Sequence, residues 1–185
     1  MEGVEDDILF ARRLVISHAD LQMALSALTF LEEYDMEERY SRVDLRRLKC
    51  FETTFVVSYS RAFSDNKGSR YPRLSLRRID VKLSTEERKL HDVILDLRNK
   101  VYAHADESMA HVRLDIHEID IDIESETVLF PHLQFDHSLY FSGYMEQLQA
   151  QELIRKVMSG LVRKLMAMST TLRDHGAIYI RPTGD

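Results

Sequence analysis

Residues 98 to 104 read R-N-K-V-Y-A-H, which sets Arg98, Asn99, Lys100, Tyr102 and His104 within one short stretch. Histidine exchanges protons near neutral pH, and arginine keeps its charge while gripping two phosphate oxygens at once. Together they suit phosphoryl chemistry on RNA. The RNA supplies its own nucleophile, the 2′-OH, so no metal or other cofactor is required. A helix C-terminus carries partial negative charge, which favours cationic groups and tends to keep His104 protonated. The same residues also make an ordinary cationic helix end, with Asp96 and Lys100 as an i,i+4 pair. On an ideal helix Arg98 and His104 differ by roughly 120° in direction and about 9 Å in rise. They flank the apolar stripe instead of sharing a face. Arginine is long enough to lean across, and the last turn can fray or tighten. Alternatively, the stripes of two chains meet and bring two Arg–His pairs into one cleft.

A second basic stretch, R-Y-P-R-L-S-L-R-R at 70 to 78, carries Arg70, Arg73, Arg77 and Arg78 with no acid. It would steer RNA toward the cleft, with Tyr71 as a stacking platform; its plainer reading is a solvated loop that balances neighbouring acids. Glu118, Asp120, Asp122 and Glu124 alternate along one strand face. That pattern reads as a soluble outer face that blocks edge pairing, ahead of a site for a hard cation. His111, His117, His132 and His137 lack a helical metal-ligand spacing, so zinc would require the two strands to bring them together, and no metal site is expected. There is no glycine-rich phosphate loop and no nucleophile elbow.

The elements that must position these residues follow from periodicity. Leu14, His18, Leu21, Leu25 and Leu28 recur at helical spacing, which predicts a helix over 4–34, with a kink or second start at Ser17 to Asp20. A second helix is expected from about Asp44, as N-cap, to Phe63, with Leu45, Leu48, Phe51, Phe55, Tyr59 and Phe63 on its apolar face. The stretch S-D-N-K-G-S-R-Y-P-R reads as a loop. Ser84 and Glu87 match a capping box that opens a third helix, whose stripe is Leu90, Ile94, Leu97 and Val101 and is extended by His104. Between 112 and 135 the period changes to two. Val112, Leu114 and Ile116 alternate in one parity and Ile119, Ile121 and Ile123 in the other, which predicts a hairpin with a bulge near His117 and Glu118. Its turn is placed at 124–127, and a hairpin of this size is expected to lie on the helices. Ile154, Leu161 and Met168, with Met158, Leu165 and Leu172, form an a/d seam in a last helix from about Tyr144 to Leu172. Gly160 within it points to close approach of a partner backbone. The segment 176–185 reads as a short edge strand. The expected fold is mainly α: a four-helix bundle, one domain over 1–185, with a β-hairpin (about 111–137) inserted before the last helix.

Composition sets the frame. The 185 residues are 44% hydrophobic and 30% charged, with a formal net charge of −6. Any polyanion site must therefore be a local patch in an unfavourable global field. Cys50 is the single cysteine, which excludes an intrachain disulfide and cysteine-rich zinc sites. The acidic M-E-G-V-E-D-D start lacks a signal pattern, and no apolar run is read as long enough to span a bilayer. The expectation is a soluble cytoplasmic protein with no membrane partner.

R-N-K-V-Y-A-H resembles the signature of HEPN domains: Arg, four to six residues, then His, often with a polar residue directly after the Arg, the place Asn99 fills. Its position near the end of the third helix of a helical bundle is similar too. The resemblance covers the three helices before the motif and the one after it; the hairpin is not part of the minimal bundle. It implies a homodimer with the motifs facing each other. It also implies, in many members, metal-independent endoribonuclease activity in toxin–antitoxin, phage-defence or RNA-processing systems. By that resemblance Arg98 and His104 are catalytic and Asn99 assists, while Lys100 and Tyr102 join the basic residues on the substrate side. An antitoxin or regulatory protein is then a further partner. One toxin branch has Tyr two residues after the His; here that position is Asp106. Many HEPN domains are inactive, and a non-catalytic helical module that binds protein or nucleotide is the other function the same motif allows.

Overall fold

The computed structural model describes residues 2–35, 37–65, 73–102, 112–121, 126–135 and 139–173. Among the described residues four α-helices carry the fold: α1 (Glu2–Leu31), α2 (Arg42–Phe63), α3 (Thr85–Leu97) and α4 (Tyr144–Leu172). A 3₁₀ turn, Leu76–Ile79, precedes α3, and a π turn, Arg98–Tyr102, continues it. Two strands, β1 (Val112–Ile121) and β2 (Glu126–Phe135), form an antiparallel pair before α4.

α1 lies against both α2 and α4. Leu14, Leu21 and Leu28 are fully buried on it, and they meet Leu48, Phe55 and Tyr59 of α2 and Ile154, Leu161 and Met168 of α4 in one core. Met158, Leu165 and Leu172 are half-buried at the edge of that core, so the expected α4 seam is present. The Glu5–Leu31 stretch of α1 is, by length and composition, long and apolar enough to cross a membrane, which corrects the expectation that no such run exists. α1 is one unbroken helix from Glu2 to Leu31. No second start falls at Ser17 to Asp20; Ser17 is fully buried and Asp20 pairs with Arg61 of α2 at 3.4 Å. Arg13, also buried, donates from Nη2 to the carbonyls of Arg61, Ala62 and Ser64. It thereby satisfies carbonyls that the end of α2 would leave bare.

α2 starts earlier than expected. Ser41 is its N-cap, accepting from the Asp44 N–H at 3.2 Å, while the Ser41 hydroxyl donates to the Asp44 carboxylate at 2.6 Å. Asp44 is thus the third residue of the helix, where a carboxylate suits the dipole, and not the cap. α3 has the expected capping box: Ser84 accepts from the Glu87 N–H at 3.2 Å, and the Glu87 carboxylate accepts from the Ser84 N–H at 2.6 Å. Lys156 of α4 also donates to Glu87, at 2.6 and 2.8 Å, which ties the start of α3 to α4.

Gly160 is where α4 meets the 3₁₀ turn. A Cβ there would stand 3.1 Å from the carbonyl oxygen of Ile79 and would collide with the Val81 side chain. The close approach read from Gly160 is therefore to an irregular segment. That segment is fixed by Asp80 in the left-handed region (φ 55°), with the Asp80 N–H donating to the Arg77 carbonyl and the Val81 N–H to the Leu76 carbonyl. Aspartate is among the few non-glycine residues that visit this region readily.

The hairpin departs from expectation twice. Its register runs unbroken from Val112 opposite Phe135 to Ile121 opposite Glu126, with no bulge at His117 and Glu118. Among the described residues it packs on no helix to any extent, and Leu114, Ile116, Leu129, Phe130 and Leu133 are exposed. The ladder satisfies its own backbone without a helical backing, so the parity change is absorbed as a change of apolar side. Glu126 and Thr127 already belong to β2, so they are not part of the turn placed at 124–127, and 124 and 125 lie outside the described residues. The segment 176–185 lies outside the described residues.

Candidate functional site

The end of α3 is where the sequence placed the chemistry. The backbone there widens from α to π over Arg98–Tyr102 and does not tighten. Such single-turn widenings recur at functional sites because they redirect side chains at a helix end. Arg98, half-buried, donates from Nη1 to the Asn99 side-chain oxygen at 2.9 Å. Lys100 donates to the Asp96 carboxylate at 2.7 Å, the i,i+4 pair of the plainer reading. The π turn packs against α2 as well as continuing α3. His104 lies outside the described residues, as do Arg70, Tyr71, His111 and His137.

The basic stretch at 70 to 78 does not act as one unit. Arg73 reaches Asp65 at 3.7 Å, an exposed pair. Arg78 stacks on the Phe10 ring of α1, 3.7 Å from its centroid, and so serves packing. Arg73 and Arg77 instead line a cleft of about 350 Å³ between the segment before α3 and α3 itself. The apolar walls include Phe63, Leu74 and Leu95, and Arg88 and His91 complete the polar side. A second chamber of about 510 Å³ adjoins it and shares Leu76, Arg77 and Arg88; Val81, Leu83, Lys82 and Asp80 line the rest.

His91 and Arg88 are the site residues that sequence reasoning missed. His91 sits on the buried side of α3, three residues before Ile94, with only 5% of its surface exposed. Its Nδ1 lies 2.8 Å from the hydroxyl of Tyr59, which is fully buried. Burial pushes the Tyr59 phenol well above its ordinary range, so the hydroxyl keeps its proton and donates to Nδ1. Burial likewise holds His91 below its ordinary value, reinforced by the positive charge of Arg88 and opposed by Asp92. The imidazole is then neutral near pH 7, with its remaining proton on Nε2. Phe63 meets the same ring edge-to-face at 4.7 Å and fixes its plane. The legible signal was a polar residue on an otherwise apolar stripe, with an arginine one turn before it.

On the hairpin, the His117 and His132 rings come within 5.6 Å of each other. Among the described residues no group of three metal-ligating side chains forms there or elsewhere.

No family model, curated protein or solved structure matches this chain. The functional reading therefore rests on the residues themselves.

Proposed function

We propose that this chain is a metal-independent endoribonuclease of HEPN type that works as a homodimer. Its fold would be an HEPN-like bundle with the hairpin as an insertion. The observation that carries the reading is the π turn at the end of α3. It holds Arg98 against the neutral Asn99 oxygen with, among the described residues, no carboxylate partner. An arginine kept from ion pairing retains its charge for a phosphate. The 2′-oxygen of the substrate attacks the adjacent phosphorus and loses its proton to a base. The bond to the 5′-oxygen breaks, and that oxygen takes a proton from an acid. His104 serves in this proton transfer, Arg98 stabilises the charge on the crowded phosphate, and Asn99 orients Arg98. Lys100, Tyr102, Arg70, Arg73 and Arg77 would serve substrate binding, while Arg78, stacked on Phe10, would not. The products carry 2′,3′-cyclic phosphate and 5′-OH ends, and an antitoxin or regulator would be a cellular partner.

The test is incubation of the pure protein with a mixed RNA pool in EDTA, beside Arg98→Ala and His104→Ala. Cleavage by the wild type that is lost in both variants, with cyclic phosphate ends, supports the enzyme. Equal degradation by all three, or none by any, favours the second reading, a non-catalytic helical module that binds protein or nucleotide. The Lys100–Asp96 pair is the observation on that side, because it makes the cationic helix end self-sufficient.

A further inference from the structure

We infer that the two-chambered cleft beside α3 is a subsite for single-stranded RNA, which seats one phosphodiester between Arg77 and Arg88 and one nucleoside in each chamber. The inference deepens the ribonuclease reading and rests on it for the identity of the ligand. Neither chamber is lined by Arg98.

Three observations carry it. The first is the shape. The chambers, about 350 and 510 Å³, meet at Leu76, Arg77 and Arg88. Both fall in the size range of small-ligand pockets. A phosphodiester has a nucleoside on each side, so a charged seam flanked by two apolar-walled chambers fits it, whereas a mononucleotide would fill only one.

The second is charge. Among the described residues neither Arg77 nor Arg88 has a carboxylate within ion-pairing distance, and both are exposed at the seam. Two guanidiniums without a carboxylate partner that line the same seam can form a phosphate clamp. His91 adds a neutral N–H donor from Nε2, which does not depend on protonation in the neutral range. Asp80 lines the far chamber with Lys82, so the negative charge there is countered and stays away from the seam.

The third is direction. Arg88, His91, Leu95 and Arg98 follow one another at i, i+3, i+7 and i+10 along α3, which keeps them within roughly an 80° arc. Arg88 and Arg98 are then about 15 Å apart along the axis. A strand anchored at the seam and directed toward the π turn would bring a later phosphate, not the adjacent one, within reach of Arg98.

The experiment uses the full chain carrying His104→Ala, so that binding is read without cleavage, and a fluorescein-labelled ten-nucleotide single-stranded RNA followed by anisotropy. Arg77→Ala and Arg88→Ala should each weaken binding about tenfold and flatten the salt dependence by close to one charge. Arg46→Ala, on the exposed side of α2, should leave both unchanged. The unlabelled dinucleotide UpA should compete better than AMP. In the otherwise wild-type chain, Arg88→Ala should raise KM and leave kcat alone, the mark of lost uniform binding. Equal affinity of the cleft variants and the parent, or AMP competing as well as UpA, overturns the inference. RNA binding that depends on Arg88 in a protein that cleaves nothing upholds it and removes only the catalytic reading.

Discussion

The Tyr59–His91 contact offers the sharpest quantitative test of the interior beside the cleft. Both groups are buried and bond at 2.8 Å, so removing either orphans the other. Tyr59→Phe keeps the ring and leaves Nδ1 without a donor, at a cost of about 1–3 kcal/mol. His91→Leu removes the imidazole and orphans the phenol, at a similar cost of about 1–3 kcal/mol. The double variant leaves no orphan and should cost about as much as one single change, a coupling of about 1–2 kcal/mol. For a chain of this length, about 2 kcal/mol lowers Tm by roughly 4–8 °C. The pH dependence has a defined sign. Burial holds His91 below its ordinary value of 6.5, so below that pH the unfolded chain takes up a proton that the folded chain refuses. The stability His91 confers is whole above 6.5 and is lost as pH falls from there to the folded value. Urea denaturation of the four proteins at pH 7.5 and 5.5 reads both effects. The wild type should lose more stability than His91→Leu between these two pH values. Single-variant costs that add within about 0.5 kcal/mol, or an unchanged pH difference in His91→Leu, would refute the reasoning.

Three further outcomes follow from the packing. Gly160→Ala gains about 1 kcal/mol of helix propensity but loses about 1–3 kcal/mol to overpacking against Val81 and Ile79, so a net loss of about 1 kcal/mol is expected in thermal melts. Glu52→Ala, which strips the buried carboxylate that accepts from Lys49 at 2.6 Å and from the Phe141 N–H at 2.8 Å, should cost about 3 kcal/mol by chemical denaturation; a loss below 1 kcal/mol would contradict the assigned role. The paired change Leu114→Thr and Leu129→Thr on the exposed hairpin should leave unfolding within about 0.5 kcal/mol of wild type while reducing self-association on a sizing column.

Much of the helical frame was legible because its signals are local. The α4 seam repeats every seven residues, and the Ser84–Glu87 box marks the start of α3 by the spacing of two side chains. Gly160 announced a close approach, although its partner, the Asp80 turn, could not be named because nothing in a helix pattern encodes what crosses it. Asp44 was taken for a cap because the true cap, Ser41, lies three residues ahead and both residue types serve either end of the bond. The bulge failed for a different reason. Alternation fixes which residues share a side but does not require that one side stay apolar when no helix covers it. The cleft itself was not read, because its walls come from Phe63, the 73–77 segment and α3, and helix periodicity does not say which of these fold together. Of the arginines between 70 and 78, spacing alone could not tell that Arg78 would lie on Phe10 while Arg77 faced the cleft.

The uninterrupted β1–β2 ladder has a geometric consequence. Residues opposite each other in such a ladder share a side, so Leu114 with Leu133, and Leu129 with Glu118, stand together, while His117 and Phe130 stand on the reverse. Val128 stands on that reverse as well. Oil therefore coats one surface near the stem and crosses to the other toward the tip, like a strip of paint on a ribbon given a half turn. A flat wall pressed on either side would meet grease for half its length and charge for the remainder. Only a surface that winds with the ribbon, or two that grip it from opposite sides, can keep water off the whole.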